Sequence, residues 1–312
     1  MKLQQLRFLV EVFDSDLNVT LAAERLFTSQ PGVSKQLRQL EAELGIVVFE
    51  RNGKRFTGVT EAGVAVIESA RKVLLEAENL KSIADELRDD STGTLTVATT
   101  HTQARYVLPR VVAEFTRRFP KVRLSIREGD PHRVTEMVLR GEADIGIATE
   151  SLAKAAGIVT LPAYSWNHLV IAPHDHPVLK SALSVKSLAR HPLITYDPAF
   201  SGRSRIDDSF SRAGATANIV LTAVDSDVIK TYVSLGLGVG IIAEMAYDKE
   251  RDSSLAAVNA GALFGANVTR VGLRRGALSR RFALVFLELL SPQLTIAAVM
   301  SASRNDGESY DI

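Results

Sequence analysis

Cysteine is absent from this chain, which excludes a disulfide scaffold, an iron–sulfur centre and a thiol nucleophile and leaves nothing to argue for an oxidising compartment. Charge of either sign is also missing as a bulk property, since 37 Lys and Arg stand against 36 Asp and Glu for a net charge of +1. Residues 1 to 60 repeat the balance, with eight basic and seven acidic side chains. A polyanionic partner would have to be argued from local placement of charge. No window approaches the ~18 uninterrupted apolar residues of a membrane helix, and Glu11, Asp14 and Asp16 break the apolar N-terminal stretch before it could serve as a signal-peptide core. These absences predict a soluble, cytoplasmic protein that is not exported and has no membrane partner. Internal repeats and low-complexity tracts are missing too. What is there is 312 residues, about two domains at ~150 each, with 46% hydrophobic and 23% charged residues, an ordinary globular composition that excludes fibrous and wholly disordered chains.

Three patterns follow one another. Residues 1–60 read as short helices ending in a hairpin. Leu3, Leu6, Phe8, Leu9, Val12 and Phe13 recur at helical spacing, and Asn18 to Leu26 turns Leu21, Ala22 and Leu26 inward. A third helix opens at Ser29, a good N-cap, carries Pro31 in its first turn and ends at Gly45. Val47, Val48 and Phe49 then lead into Arg51-Asn52-Gly53-Lys54, where Asn-Gly beside strand-like residues signals a hairpin. Residues 61–90 read as a linker built on a helix from about Glu61 to Leu87. Its Val66, Ala70, Val73, Ala77, Leu80, Ala84 and Leu87 step alternately by four and three, a seam repeating every 3.5 residues. Such a seam packs on its own domain or pairs with its copy in a second subunit, and alanine at every second position favours the pair. Residues 91–302 alternate strand-like runs (Thr94 to Ala98, Val122 to Arg127, Ala143 to Ala148, His168 to Ala172, Leu193 to Tyr196, Ile219 to Ala223, Val239 to Ala243) with helix-like ones (Arg105 to Phe119, Arg133 to Gly141, Ser226 to Leu235), which is βαβ grammar. The polar residues from Ser301 onward should fray, leaving 303–312 as a flexible tail.

Within Leu17 to Leu44, two helices joined by the short turn Phe27-Thr28 have helix-turn-helix spacing. On the second helix Val33, Leu37, Leu40 and Leu44 make one apolar stripe, and Gln30, Ser34, Lys35, Arg38 and Glu41 lie away from it. Any amphipathic helix has a solvated face. This one, though, offers Gln and Ser for base edges, Lys35 and Arg38 for guanine or phosphate, and a phosphate-attracting N-terminus at Ser29-Gln30-Pro31. Arg51, Lys54 and Arg55 would set three cations around the hairpin beside it, making a wing.

The whole segment from Met1 to Gly63, above all LAAERLFTSQPGVSKQLRQLEAELGIVVFER with VTEAG after it, resembles the DNA-binding domain of LysR-type transcriptional regulators. The rest is similar to the CysB-like regulators of sulfur assimilation within that family, in ATTHTQARYVLP (98–109), ADIGIATE (143–150), Tyr164-Ser165-Trp166-Asn167, FSGRS (200–204) and DVIKTYVSLGLGVGIIA (227–243). The resemblance implies an α/β protein: a winged helix-turn-helix over 1–60, a linker dimerisation helix over 61–90, and an effector domain over 91–302 with two lobes like those of periplasmic binding proteins. Lobe I would span about 91–163 and 265–302, and lobe II about 164–264. It further implies a homodimer or homotetramer that binds promoter DNA, works with RNA polymerase and responds to a small anion or acetylated amino acid, with no cofactor and no catalysis.

Thr99-Thr100-His101-Thr102-Gln103 is informative without that likeness. It follows a strand and opens a helix, so hydroxyls, an amide and free helix-terminal N–H groups converge at the carboxyl end of the sheet, where open α/β folds hold ligands. Thr149 and Ser201-Gly202-Arg203 follow two further strands. The plainer account is that these Ser and Thr residues cap helices. The resemblance implies instead that Thr100, Thr102, Gln103, Thr149 and Ser201 line a sulfate or acetylserine pocket, with Ser201 replacing a threonine common in such proteins. Trp166 reads as a packing residue and is kept as a candidate beside the ligand. Catalytic alternatives fare worse. Gly236-Leu237-Gly238-Val239-Gly240 has the wrong spacing and order for a dinucleotide loop, and the SxxK pairs Ser69 to Lys72 and Ser151 to Lys154 lack their companion motifs. His174-Asp175-His176 sits between prolines with no further ligand cluster, so no metal is expected. An enzyme or solute-binding protein with an accessory N-terminal module is the rival expectation. It would call for a nucleophile, metal or cofactor motif, or for an export signal.

Overall fold

The structure is a computed structural model. It describes residues 1–304 apart from 54, 90, 150, 151, 153, 154, 181 and 201, and for 85, 86, 88 and 304 the backbone alone. Two compact units emerge, Met1–Leu87 and Arg88–Ile312.

In the first unit, α1 (Leu3–Asp14), α2 (Val19–Arg25) and α3 (Gln30–Leu44) precede a hairpin of β1 (Phe49–Asn52) and β2 (Arg55–Val59), and α4 (Glu61–Arg88) closes it. The caps follow the sequence. Asn18 accepts from the Thr20 and Leu21 N–H groups, the Ser29 hydroxyl accepts from Gly32 N at 3.3 Å, and Gly45, at φ +70°, ends α3. Leu6, Leu9, Val12, Ala22, Val33, Leu37, Leu40, Val48 and Phe49 form one core, sealed by Ile67 and Ala70 of α4. The seam on α4 therefore does not serve a single purpose. Val66 and Ala70 turn to the core of their own unit, whereas Val73, Leu80 and Leu87 are 42%, 68% and 83% exposed. The core of this unit reaches along α4 only as far as Leu74, and the later seam positions run past it.

The second unit has two sheets. In chain order its elements are β3 (Gly93–Thr99), α5 (Leu108–Arg118), β4 (Val122–Glu128), α6 (Pro131–Leu139), β5 (Ile145–Ala148), β6 (Ile158–Trp166), β7 (His168–Pro173), α7 (Val185–Leu188), β8 (Leu193–Tyr196), α8 (Arg203–Arg212), β9 (Ile219–Ala223), α9 (Ser226–Ser234), β10 (Val239–Ala243), β11 (Leu255–Asn259), α10 (Gly261–Phe264), β12 (Asn267–Arg274), α11 (Arg281–Leu290) and α12 (Ile296–Arg304). Lobe I carries the order β4-β3-β5-β12-β6 and lobe II β11-β7-β10-β8-β9. Strands β3, β4 and β5 are parallel, but β12 runs antiparallel between β5 and β6. Both lobes are thus mixed sheets, more than the βαβ pattern alone predicts. The chain crosses to lobe II at Asn167, because β6 stays paired with β12 as far as Trp166↔Asn267, three residues beyond the expected boundary. It returns after α10 at Phe264. Helix α12 runs to Arg304, past the expected start of the tail; residues 305–312 lie outside the described residues. Among the described residues no helix is long and apolar enough to cross a membrane.

Candidate functional site

Two sites emerge, one in each unit. On α3 the side chains of Gln30, Pro31, Ser34, Lys35, Arg38, Gln39 and Ala42 line one open face of about 520 Å³, which is the polar face expected from the sequence. Gln30 Nε2 donates to Ser34 Oγ at 3.3 Å, so two of the proposed base-reading groups begin on each other. Ser29 sits at the end of this face with its oxygen engaged in the cap. Phe27, at φ +50° in the turn between α2 and α3, is fully exposed.

The wing departs from expectation at Arg51. Its guanidinium is paired with the Glu41 carboxylate and lies 5.2 Å over the Phe56 ring, so it is not a freely reaching cation. Glu41, placed by pattern on the polar face, in fact turns to the hairpin, where it also accepts from the Val48 and Phe49 N–H groups at 2.9 and 3.2 Å. One carboxylate thereby fixes the wing against the helix. Arg55 is exposed, and Lys54 lies outside the described residues.

The second site is a cavity of about 20 Å³ lined by Thr100, Thr102, Gln103, Thr149, Trp166, Tyr196, Phe200 and Ala243. Five of the six expected positions meet there; the sixth, Ser201, lies outside the described residues. The lining comes from the carboxyl ends of β3, β5, β6, β8 and β10, the crevice where open α/β sheets bind ligands. Parallel pairing aligns Thr99 with Ile147, and Thr99 Oγ1 donates to the Ile147 carbonyl at 3.0 Å, tying the strand ends that carry Thr100 and Thr149. The helix that follows opens with a π turn, Gln103–Val107, an irregularity common at functional sites. Thr100 and Thr149 make no side-chain hydrogen bond to another described residue.

None of the described lining side chains carries a charge. Burial pushes the Tyr196 phenol up, and its oxygen accepts from Ala243 N at 2.9 Å and contacts Ser226 Oγ at 2.6 Å. Burial likewise raises the neighbouring Tyr164, which donates to Gln103 Oε1. Sequence reasoning missed Tyr164, Tyr196, Phe200 and Thr269. Tyr164 and Phe200 lay inside quoted family motifs, but nothing local marked Thr269.

Beside the cavity, charged groups tie the lobes together. His101 Nδ1 lies 2.7 Å from Glu128 of lobe I, and Nε2 lies 3.3 Å from Asp225 of lobe II. Tyr106 donates to Asp227 Oδ1 at 2.6 Å, and Arg105 pairs with the same carboxylate. Burial works to raise the Asp227 pKa, but Tyr106, Lys230 and Arg105 outweigh it and hold the group below the usual carboxylate range. The other sequence candidates resolve as structure. Gly236, at φ +76°, turns the chain between α9 and β10, and a Cβ on Gly238 would meet the Pro192 carbonyl at 2.6 Å. His174 and His176 bond the Ser253 carbonyl and Val178 N–H, and no group of three or more metal-binding side chains occurs among the described residues. Ser151 and Lys154 lie outside them.

Comparison with known proteins covers both units. Residues 3–64 match the family model "Bacterial regulatory helix-turn-helix protein, lysR family", and residues 88–295 match "LysR substrate binding domain". The chain is 50% identical over 305 residues to the HTH-type transcriptional regulator SsuR of Burkholderia cenocepacia, covering 97% of this chain and 99% of that one. It is 47% identical over 313 residues to the HTH-type transcriptional regulator CysB of the same organism, covering both completely. A crystal structure of the cofactor-binding domain of the Cbl transcriptional regulator superposes with a TM-score of 0.66 at 45% identity, over 69% of this chain and 96% of that one.

Proposed function

Because the chain belongs to the LysR family of bacterial helix-turn-helix transcriptional regulators, we propose that it controls genes of sulfur assimilation or cysteine biosynthesis in answer to a small oxyanion bound between its lobes. It is a DNA-binding regulator and not an enzyme. In this reading it acts in the cytoplasm, as a homodimer or homotetramer, at promoters where RNA polymerase is its further partner. Helix α3 enters the major groove with Gln30, Ser34, Lys35 and Arg38 toward the bases, and Arg55 and Lys54 of the wing reach phosphate. Exposed Val73, Leu80, Ile83 and Leu87 on α4, and Val228, Tyr232 and Leu235 on α9, support self-association.

The observation that carries the effector reading is the gathering of Thr100, Thr102, Gln103, Thr149 and Trp166 around one cavity without a charged side chain in its described lining. Neutral donors suit an oxyanion. The α-ammonium of acetylserine would call for an acceptor carboxylate, which the described lining does not offer, so sulfate or thiosulfate fits better. At about 20 Å³ the cavity holds little more than one water, and an oxyanion must displace the lobes to enter. Effector binding then favours one lobe arrangement over another, and through the oligomer alters how the paired helices span their half-sites. Calorimetry of the full chain with sulfate, thiosulfate and acetylserine tests this. Each hydrogen bond to a charged group is worth ~1.5–3 kcal/mol, so Thr100→Val and Thr149→Val should each weaken oxyanion binding roughly tenfold or more. Failure of all three ligands to bind, or parent-like affinity in both variants, would overturn the effector site.

A further inference from the structure

We infer that Thr269, on β12 and outside the cavity lining, is the positioning residue that fixes the Gln103 amide as a donor toward the effector and holds Trp166 in place. This rests on reading the cavity as the effector site. Thr269 is fully buried. Its Oγ1 accepts from Gln103 Nε2 at 3.3 Å and from Trp166 Nε1 at 3.1 Å. Tyr164, which faces Thr269 across the strand pair, donates to Gln103 Oε1. Gln103 therefore bridges Tyr164 and Thr269 and closes a ring through the paired strands β6 and β12, and Trp166 hangs from the Thr269 hydroxyl.

The ring settles which end of the amide faces the cavity. Gln carries one acceptor oxygen and two N–H donors. Tyr164 engages the oxygen and Thr269 takes one N–H, so the donor Gln103 has left to offer is its second N–H. An oxyanion can accept from that group. Thr269 likewise has its two acceptor positions filled by Gln103 and Trp166.

Strand pairing explains why these side chains meet. Tyr164 of β6 lies directly across from Thr269, Trp166 is two residues further along β6, and a bulge between Thr269 and Arg270 shifts the register at that point. Bulges re-aim side chains in this way. Trp166 then packs in the lobe II core beside Ile171, Ile194 and Tyr196, so the ring fixed in lobe I holds an indole that belongs to the packing of lobe II.

Trp166 is the only tryptophan, and its fluorescence therefore reads the ring directly. The full chain, its Thr269→Val and Thr269→Ser variants, and Tyr164→Phe are titrated with sulfate by calorimetry, and the emission of each is recorded without sulfate. Thr269→Val should shift the emission and weaken sulfate binding roughly tenfold, and Thr269→Ser, which restores the hydroxyl, should return both to the parent values. Parent-like sulfate affinity in Thr269→Val, or a serine variant as weak as the valine one, overturns the inference. If the valine variant fails to fold, Tyr164→Phe decides: it frees Gln103 Oε1, should weaken sulfate while leaving the emission near the parent's, and overturns the inference by binding as the parent does. Should the parent itself not bind sulfate, the effector reading fails, and the ring stands or falls on the emission shift of Thr269→Val.

Discussion

His168 lies fully buried between Trp166 and Phe264, with ring centroids 5.1 and 5.7 Å away. Burial, helped by the charge of Arg205, pushes its pKa from 6.5 down to about 4. The folded chain thus refuses a proton that the unfolded chain accepts. The stabilisation is whole above pH 6.5 and is lost as the pH falls through that window toward 4, amounting to about 3 kcal/mol across it at ~1.4 kcal/mol per unit. Urea unfolding at pH 7 and pH 4.5 should show a smaller loss of stability for His168→Gln than for the parent; equal losses would place the acid sensitivity elsewhere. At this scale the sequence was informative wherever a residue's role is local. Thr100, Thr102 and Gln103 were legible because a strand ends and a helix begins there, and Ser29 and Gly45 because caps have their own chemistry. Thr269 was not, since its meaning comes from a glutamine 166 positions away. Glu41 was misjudged for the same reason: helical spacing gives a face, and only the folded hairpin shows that a carboxylate on it caps β1 and holds Arg51.

Among the elements, α3 and α4 carry the proposed contact with DNA and the proposed self-association. On α3, Arg38→Ala should cost ~1–3 kcal/mol at a cognate promoter if the guanidinium reads a base, measured by fluorescence anisotropy against a non-specific duplex. Arg51→Ala should act differently from an ordinary phosphate contact. It strips Glu41 of its partner and loosens the wing, so both duplexes should bind more weakly while the salt dependence keeps its slope. On α4, Val73→Glu with Leu80→Glu changes side chains that are exposed in the single chain, and should leave the first unit folded. If α4 pairs with its copy, sedimentation should then find monomers and promoter affinity should fall. A dimer that persists would locate the main contact off this helix. The existence of these helices, and of most strands, could be read from the period of apolar residues. The order of strands could not. Strand β12 is remote from β5 and β6 in sequence yet lies between them, because hydrogen-bonding edges are satisfied in space and carry no mark of chain position.

For the molecule as a whole, the lobes of the second unit meet around the cavity and are tied at its side by hydrogen bonds and ion pairs. Asp227 is the most connected of these, with Tyr106, Arg105 and Lys230 all on one carboxylate. Asp227→Asn should loosen the lobes without disturbing either core, since Lys230 keeps Asp252 and the Ala246 carbonyl. Acrylamide should then quench Trp166, 4% exposed in the parent, more readily, and unchanged quenching would show that the remaining contacts, His101 to Asp225 among them, hold the lobes shut.

The placement of β12 also sets a timetable. Lobe II is made from one unbroken stretch of chain, but lobe I waits for a strand that follows its other strands by roughly a hundred residues. At ~5–20 residues per second on the ribosome, β5 and β6 emerge several seconds before the strand that joins them. Until then each offers an open edge to any passing chain. Translation that stops before Asn267 should leave a soluble lobe II attached to a sticky half-sheet, and the cell's chaperones should meet this protein chiefly during that interval.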